Sequence, residues 1–335
     1  PPDAATDPDW LERYEAANLL YADKQLDGAL MPYIGNGYLA THPVAGRQPH
    51  ASGPTAAEQM ATLYVSGVFN GIAVQSPCEG GYCAAPHRAK IPTYRAVLSG
   101  LPALGGRYAL DLEKATLTRR VTLDHGMAIE ERWYAHLVQR ELLVHEILLN
   151  NSAGLSAQSV AVEPAAAGPL DGSFPFSVKN SSSGPYGTIR TVVGASNHSE
   201  RPELQRTRVA VASNAVSPNS TLPIGAGESK TFYFISAVAT SLDASDAESD
   251  PQSRAEAALI AALQHPDSLR STHEAAWLAR WNQGRLEVGG QSWAGAGDEF
   301  FLVLLTIVRS CGLAIGDVTG RAGERRLRWS HVLGE

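Results

Sequence analysis

The chain has 335 residues, 44% of them hydrophobic and 18% charged, which excludes a disordered protein, poor in apolar residues and rich in charge. Its 27 basic and 34 acidic residues give a net charge of −7, and apart from Arg325-Arg326 the basic residues are scattered, so the basic stripe of a nucleic-acid binder is missing. No apolar run reaches the roughly 18 residues needed to span a bilayer; the longest, Phe300 to Val308, is followed by Arg309.

The first thirty residues read as a short helix followed by a loop. In "DPDWLERYEAANLL", Asp7 is placed to cap a helix, Pro8 to occupy its first position, and the acids to favour its first turn. The start of the chain is acidic and proline-rich, with no signal-peptide pattern, but it begins with Pro1 rather than Met. The compartment, cytoplasmic or secretory, stays open.

From Met31 the sequence changes to short β-like runs separated by Gly, Pro, Asn and Ser. "MPYIGNGYLATHPV" sets Gly35-Asn36-Gly37 between two apolar pieces, a hairpin signal. "LYVSGVFNGIA" reads as a buried strand interrupted by Ser66-Gly67 and Asn70-Gly71, residues that a packed strand accepts only where backbone approaches closely. Cys78 and Cys83 in "PCEGGYCAAP" are spaced for a small disulfide loop turned by Gly80-Gly81; a metal site would need two more ligands, and only His87 is near. No metal is expected.

Strict alternation runs from Tyr108 to Asn150, with Leu117, Val121 and Leu123 on one face and Ile129, Trp133 and Ala135 alternating with polar neighbours. Half-buried strands of period two predict an antiparallel sheet. "LSAQSVAVEP", "GTIRTVVGA", "TRVAVASNA" and "KTFYFISAVATS" continue the pattern, which implies a sandwich or barrel. Glycosylation sequons occur at Asn150, Asn180, Asn197 and Asn219, in excess of chance, and lean towards secretory exposure.

Near residue 246 the composition turns to Ala, Leu, Glu and Arg, with Pro266 dividing two helices. The organisation expected is an N-terminal extension (1–24), a β-sandwich (25–245), a helical linker (246–284) and a divergent tail (285–335).

Chemistry is sparse. No G-x-S-x-G elbow, P-loop, H-E-x-x-H or phosphate-binding glycine motif occurs, and no cofactor is expected. His87-Arg88 in "APHRAKIP" either contacts a hydroxylated or anionic ligand or pairs with a carboxylate on an edge loop. His136 and His145 lie on predicted strands as core or interface histidines. His273, Trp277 and Trp281 share a helix face, which serves either as a sugar platform or as a packing seam. Glu130-Glu131 and the alternate pair Asp111 and Glu113 show no sign of an acid and a base with separated pKa values.

Six segments in order resemble the N-terminal part of glycoside hydrolase family 65: "IGNGYLATHPV" (34–44), "LYVSGVFNG" (63–71), "PHRAKIP" (86–92), "YALDLEKATLTR" (108–119), "WYAHLVQRELLVHEI" (133–147) and "HEAAWLARWNQGRLEVGG" (273–290). The resemblance implies a mainly β fold, an antiparallel β-supersandwich, then linker helices and the start of an (α/α)6 barrel that holds the active site. It implies a carbohydrate partner and inverting glycoside hydrolysis, in the acid trehalase-like branch removal of glucose from glucosyl-galactosyl-hydroxylysine of collagen. Asn70, with His87 and Arg88, becomes the candidate substrate contact. After Gly290 the resemblance fades: the family's Trp- and Asp-rich motif and catalytic glutamates have no counterpart, so no catalytic residue carries over. The chain is accordingly read as a fragment, truncated splice form or misread gene model, inactive alone. The alternatives are a carbohydrate-binding sandwich without catalysis, or part of a trehalase or disaccharide phosphorylase.

Overall fold

The computed structural model describes residues 8–15, 18–22, 32–43, 62–68, 89–99, 106–123, 126–166, 175–180, 187–197, 205–243 and 250–282. Among them are three helices, α1 (Pro8–Glu15), α2 (Pro251–Gln264) and α3 (Asp267–Trp281). The first strands are β1 (Leu19–Ala22), β2 (Ile34–Gly35), β3 (Leu39–Thr41), β4 (Thr62–Val65), β5 (Ile91–Pro92), β6 (Tyr94–Leu98), β7 (Arg107–Asp111) and β8 (Thr116–Thr122). They are followed by β9 (Ala128–Ala135), β10 (Leu142–Asn150), β11 (Gln158–Ala166), β12 (Phe176–Asn180), β13 (Thr188–Ala195), β14 (Arg208–Ala215), β15 (Ser220–Ile224) and β16 (Ser229–Thr240).

The strands form a nine-stranded sheet in the order β1-β7-β8-β9-β10-β16-β14-β13-β12, a four-stranded sheet β2-β3-β4-β5 and a three-stranded sheet β15-β11-β6. Every recorded strand pairing is antiparallel. The mainly β class expected from the alternation is what forms.

Period-two alternation gives the large sheet two apolar faces, and each is covered. On one face Leu117, Trp133, Ala135, Leu143, Val211 and Val238 pack against Ile34, Leu39, Leu63, Val65 and Ile91 of the four-stranded sheet. Further along that face, Ile129, Ile147 and Leu149 meet Ala96, Leu98, Val160, Val162, Leu222 and Ile224 of the three-stranded sheet. The opposite face carries Tyr134, Leu142, Val144, Ala210, Ala212, Ile235 and Ala237, which α2 and α3 cover with Ala255, Leu259, Ala262 and Leu269. Ala255, Leu259 and Ala262 recur at i, i+4 and i+7, one stripe of the helix, and small residues on both sides of the contact let α2 lie close to the strands. The helix begins at Pro251, and the Asp250 side chain accepts the Ser253 N–H.

Two sequence expectations change. Leu19–Ala22, within the short helix and following loop expected of an N-terminal extension, is strand β1, paired with β7 from Leu19 opposite Asp111 to Ala22 opposite Tyr108. Trp10 of α1 then packs on Leu19 and Ala109. "LYVSGVFNGIA" is not one strand: β4 stops at Val65, and Ser66-Gly67 form a turn, with Gly67 at φ +76°.

Candidate functional site

Asn36 organises one end of the sandwich. Its Oδ1 accepts the N–H groups of Tyr38 (3.0 Å) and Leu39 (2.9 Å), and its Nδ2 donates to the carbonyls of His136 and Arg140, both at 2.8 Å. One amide therefore ties the β2–β3 turn to the β9–β10 turn, 100 and 104 residues away in sequence. Gly37, at φ +90°, supplies the left-handed conformation this turn needs.

Tyr38 carries the connection onward. Its hydroxyl donates to Asp243 Oδ2 at 2.5 Å, and Asp243 also accepts the Thr240 N–H and hydroxyl, each at 2.7 Å. Arg140 lies over the Tyr38 ring, 4.9 Å from its centroid, and 3.6 Å from Asp243. Burial first, and then the hydrogen bond to Asp243, raises the Tyr38 pKa, so the phenol stays a donor. The Tyr38 carbonyl accepts the Ser66 N–H at 2.8 Å, which fixes the turn after β4. Val68 then donates to Val65 O, and Ala89 donates to Val68 O at 3.1 Å.

Asn70, His87 and Arg88 lie outside the described residues, as do Cys78 and Cys83. Val68 and Ala89, on either side of that stretch, are themselves described and hydrogen-bonded to each other. Asn36, Tyr38, Arg140 and Asp243 went unnoticed as site residues in the sequence. The only local signal was the Gly35-Asn36-Gly37 turn, and nothing local marks the reach to Asp243.

The remaining candidates separate cleanly. His273, Trp277 and Trp281 are buried and form a packing seam: Trp277 Nε1 donates to Leu112 O at 3.1 Å, and His273 stacks on Tyr134 at 4.7 Å. The sugar-platform alternative is ruled out for these three by their burial. His145 is buried, stacked on Trp133 at 4.7 Å, with Nε2 3.2 Å from Glu131. Glu130 and Glu131 point to opposite faces of β9. Glu131 pairs with Arg119 at 3.0 Å, and Glu130 with Arg120 at 2.6 Å and with Arg132. Glu146 accepts the Tyr134 hydroxyl at 2.8 Å and pairs with Arg132 at 3.3 Å, and Asp111 is held bidentately by Arg13. Asp111, Glu131 and Glu146 are buried and Glu130 is half-buried, and all four serve as structural anions.

A second buried cation stands apart. Arg95 donates to Thr41 Oγ1 and, at 3.1 Å, to His42 O, tying β6 to the end of β3. Burial lowers its pKa to about 9, and His42, its ring centroid 3.6 Å from that of Tyr33 and tilted by 41°, is lowered to about 4 by burial and then by Arg95. No cluster of three metal-ligating side chains occurs among the described residues.

The sequons differ in setting. Asn219 is exposed in a turn at φ +57°, whereas Asn150 is half-buried, with its Oδ1 accepting the Ser152 N–H at 3.0 Å. Asn197 is also half-buried, and Asn180 is the last residue of β12.

Comparison with known proteins places this geometry among carbohydrate-active relatives. No family model matches the chain. It is 28% identical over 295 residues, 84% of its length, to the protein-glucosylgalactosylhydroxylysine glucosidase of Dictyostelium discoideum. The chain spans 37% of that relative. Among solved structures, a protein assigned as a kojibiose phosphorylase from the human microbiome superposes with a TM-score of 0.53 at 11% identity, over 82% of this chain and 39% of that one. The chain is thus a distant homologue of a glucosidase and shares its fold with the phosphorylase.

Proposed function

We propose that this chain is the β-sandwich portion of an α-glucosidase of the family 65 type, acting on glucosylated substrates such as glucosyl-galactosyl-hydroxylysine. The observation that carries the reading is the relationship to the Dictyostelium glucosidase, sustained over 84% of the chain. In this account the sandwich does not break the glycosidic bond. Inverting hydrolysis uses two opposed carboxyl groups roughly 6.5–9.5 Å apart, one protonating the leaving oxygen and one activating water. The buried carboxylates Asp111, Glu131 and Glu146 are each bound to an arginine, which removes them from that role.

The sandwich contributes position. Asn36, Tyr38 and Asp243 fix the point from which the segment with Asn70, His87 and Arg88 departs, and that segment supplies donors to sugar hydroxyls. The test is calorimetric titration of the protein containing this chain with glucosyl-galactosyl-hydroxylysine, in wild type and in Asn70→Ala. Weaker binding in the variant supports the reading, and unchanged affinity removes Asn70 from the substrate contact.

A further inference from the structure

Two histidines at the junction of α3 with the sheet use every ring nitrogen in the neutral form. His273 Nδ1 accepts the Leu137 N–H at 3.2 Å, and its Nε2 donates to Lys114 O at 2.8 Å. His136 Nδ1 accepts the Gln139 N–H at 2.9 Å, and its Nε2 lies 2.9 Å from Leu269 O and 3.0 Å from Thr272 Oγ1. These partners fix both tautomers: in each ring Nδ1 must be the acceptor. A proton added there sets N–H against N–H, and the ring centroids are only 5.7 Å apart, so a second charge repels the first.

Among the described residues no carboxylate is bonded to either ring to stabilise the cation. Glu113, Arg140, Glu146, Asp267 and Arg270 on the surrounding elements are engaged with other groups. Glu146 of β10 is held by Tyr134, Arg132 and, at 3.6 Å, Arg270 of α3; Asp267 of α3 accepts from Tyr233. Glu113, before β8, faces Arg13, and Arg140 faces Tyr38 and Asp243. Lys114, Glu141, Glu274 and Arg280 are the other charged side chains of these turns and of α3, and on β8 and β9 Arg119 pairs with Glu131 and Arg120 and Arg132 pair with Glu130. Burial lowers the pKa of both histidines, that of His273 to about 4 with His136 adding to the effect.

The pair is also wired to the candidate site. The turn that the two rings hold presents the His136 and Arg140 carbonyls to Asn36 Nδ2. Asn36 holds Tyr38 and Leu39, and Tyr38 O holds Ser66. We propose that His136 and His273 form an acid-sensitive latch: proton uptake frees the β9–β10 turn from α3 and slackens the strand ends that Asn36 and Tyr38 hold, at Tyr38, Leu39 and Ser66. This regulation goes beyond the glucosidase reading and stands or falls independently of it.

The test is site-resolved amide exchange between about pH 7 and about pH 4, expressed as protection factors that correct for intrinsic exchange. Leu137 and Gln139 are expected to lose at least about ten-fold protection as pH falls, with Tyr38, Leu39 and Ser66 following at the same midpoint while Val144 in the sheet centre stays protected. Gln at both positions keeps an acceptor and a donor without titrating, so H136Q/H273Q is expected to abolish the transition. An unchanged acid profile in that variant overturns the latch, as does loosening of Leu137 without Ser66. Should the variant fail to fold, imidazole titration by NMR on the native chain decides. Rings that titrate well below the ordinary range together with the amide loss support the proposal, and rings that titrate in the ordinary range, or stay neutral until global unfolding, refute it.

Discussion

Gly67 faces Leu242 so closely that a Cβ on the glycine would stand 2.7 Å from Leu242 Cδ1. Leu242 is 56% exposed and can swing aside, so the contact alone is cheap to relieve. The backbone is not: at φ +76° a side chain is strained, at a cost of about 1–2 kcal/mol. Gly67→Ala should lower stability by that amount, while Leu242→Ala should not. Urea unfolding midpoints for the two variants measure the difference.

Glu131 is the shared acceptor of Arg119 and His145 inside the sandwich, and it is 3% exposed. Removing one member of a buried ion pair leaves the other charge uncompensated, which costs about 3–5 kcal/mol. Glu131→Ala should therefore destabilise severely, whereas the exposed Arg140→Ala should change stability by less than about 1 kcal/mol. Equilibrium denaturation of both resolves the contrast.

Stability should fall in acid through His42 and His273. Both have an ordinary value of 6.5 and sit at about 4 in the fold. Between those values the unfolded chain binds more protons, so stability rises with pH across that window and is complete above it. The size is on the order of 3 kcal/mol per residue. Thermal melts should show Tm dropping as pH falls from about 6.5 to about 4, and a flat profile there would exclude neutral buried rings.

Against the half-buried Asn150 and Asn197, Asn219 offers the more open acceptor, an exposed asparagine in a turn followed by the exposed Thr221. Produced through a eukaryotic secretory route, the protein should carry a glycan at Asn219 in preference to the half-buried Asn197. Peptide mapping before and after enzymatic deglycosylation checks site occupancy.

Much of this architecture was legible from alternation. Leu117 and Val121, like Ile129 and Trp133, fall on one face of a period-two repeat that predicts an antiparallel sheet, and β8 and β9 pair with Leu117 opposite Trp133 and Val121 opposite Ile129. What escaped was short or depended on distant partners. Leu19–Ala22 has too few residues to show a period and follows a helix, so only its pairing with β7 reveals a strand. In "LYVSGVFNG" the apolar Val68 continues the hydrophobic run past Val65 and hides the turn at Ser66-Gly67. β12 and β15 are five-residue edge strands, and one face or both remain open to solvent, which weakens the pattern. Asn36 read correctly as a turn residue, but its bonds to the β9–β10 turn arise only when the sheets close. The burial of Trp277 and Trp281 likewise needed the sheet beneath them.

The central claim is that this sandwich serves a glucosidase whose bond-breaking carboxylates lie elsewhere. Glucose release from glucosyl-galactosyl-hydroxylysine tests it most directly, assayed for the 335-residue chain and for a protein that joins it to the remaining length of its glucosidase relative. The account predicts free glucose from the longer protein and none from the chain alone. Turnover by the isolated chain, or a longer protein that leaves this glycan intact, would contradict it.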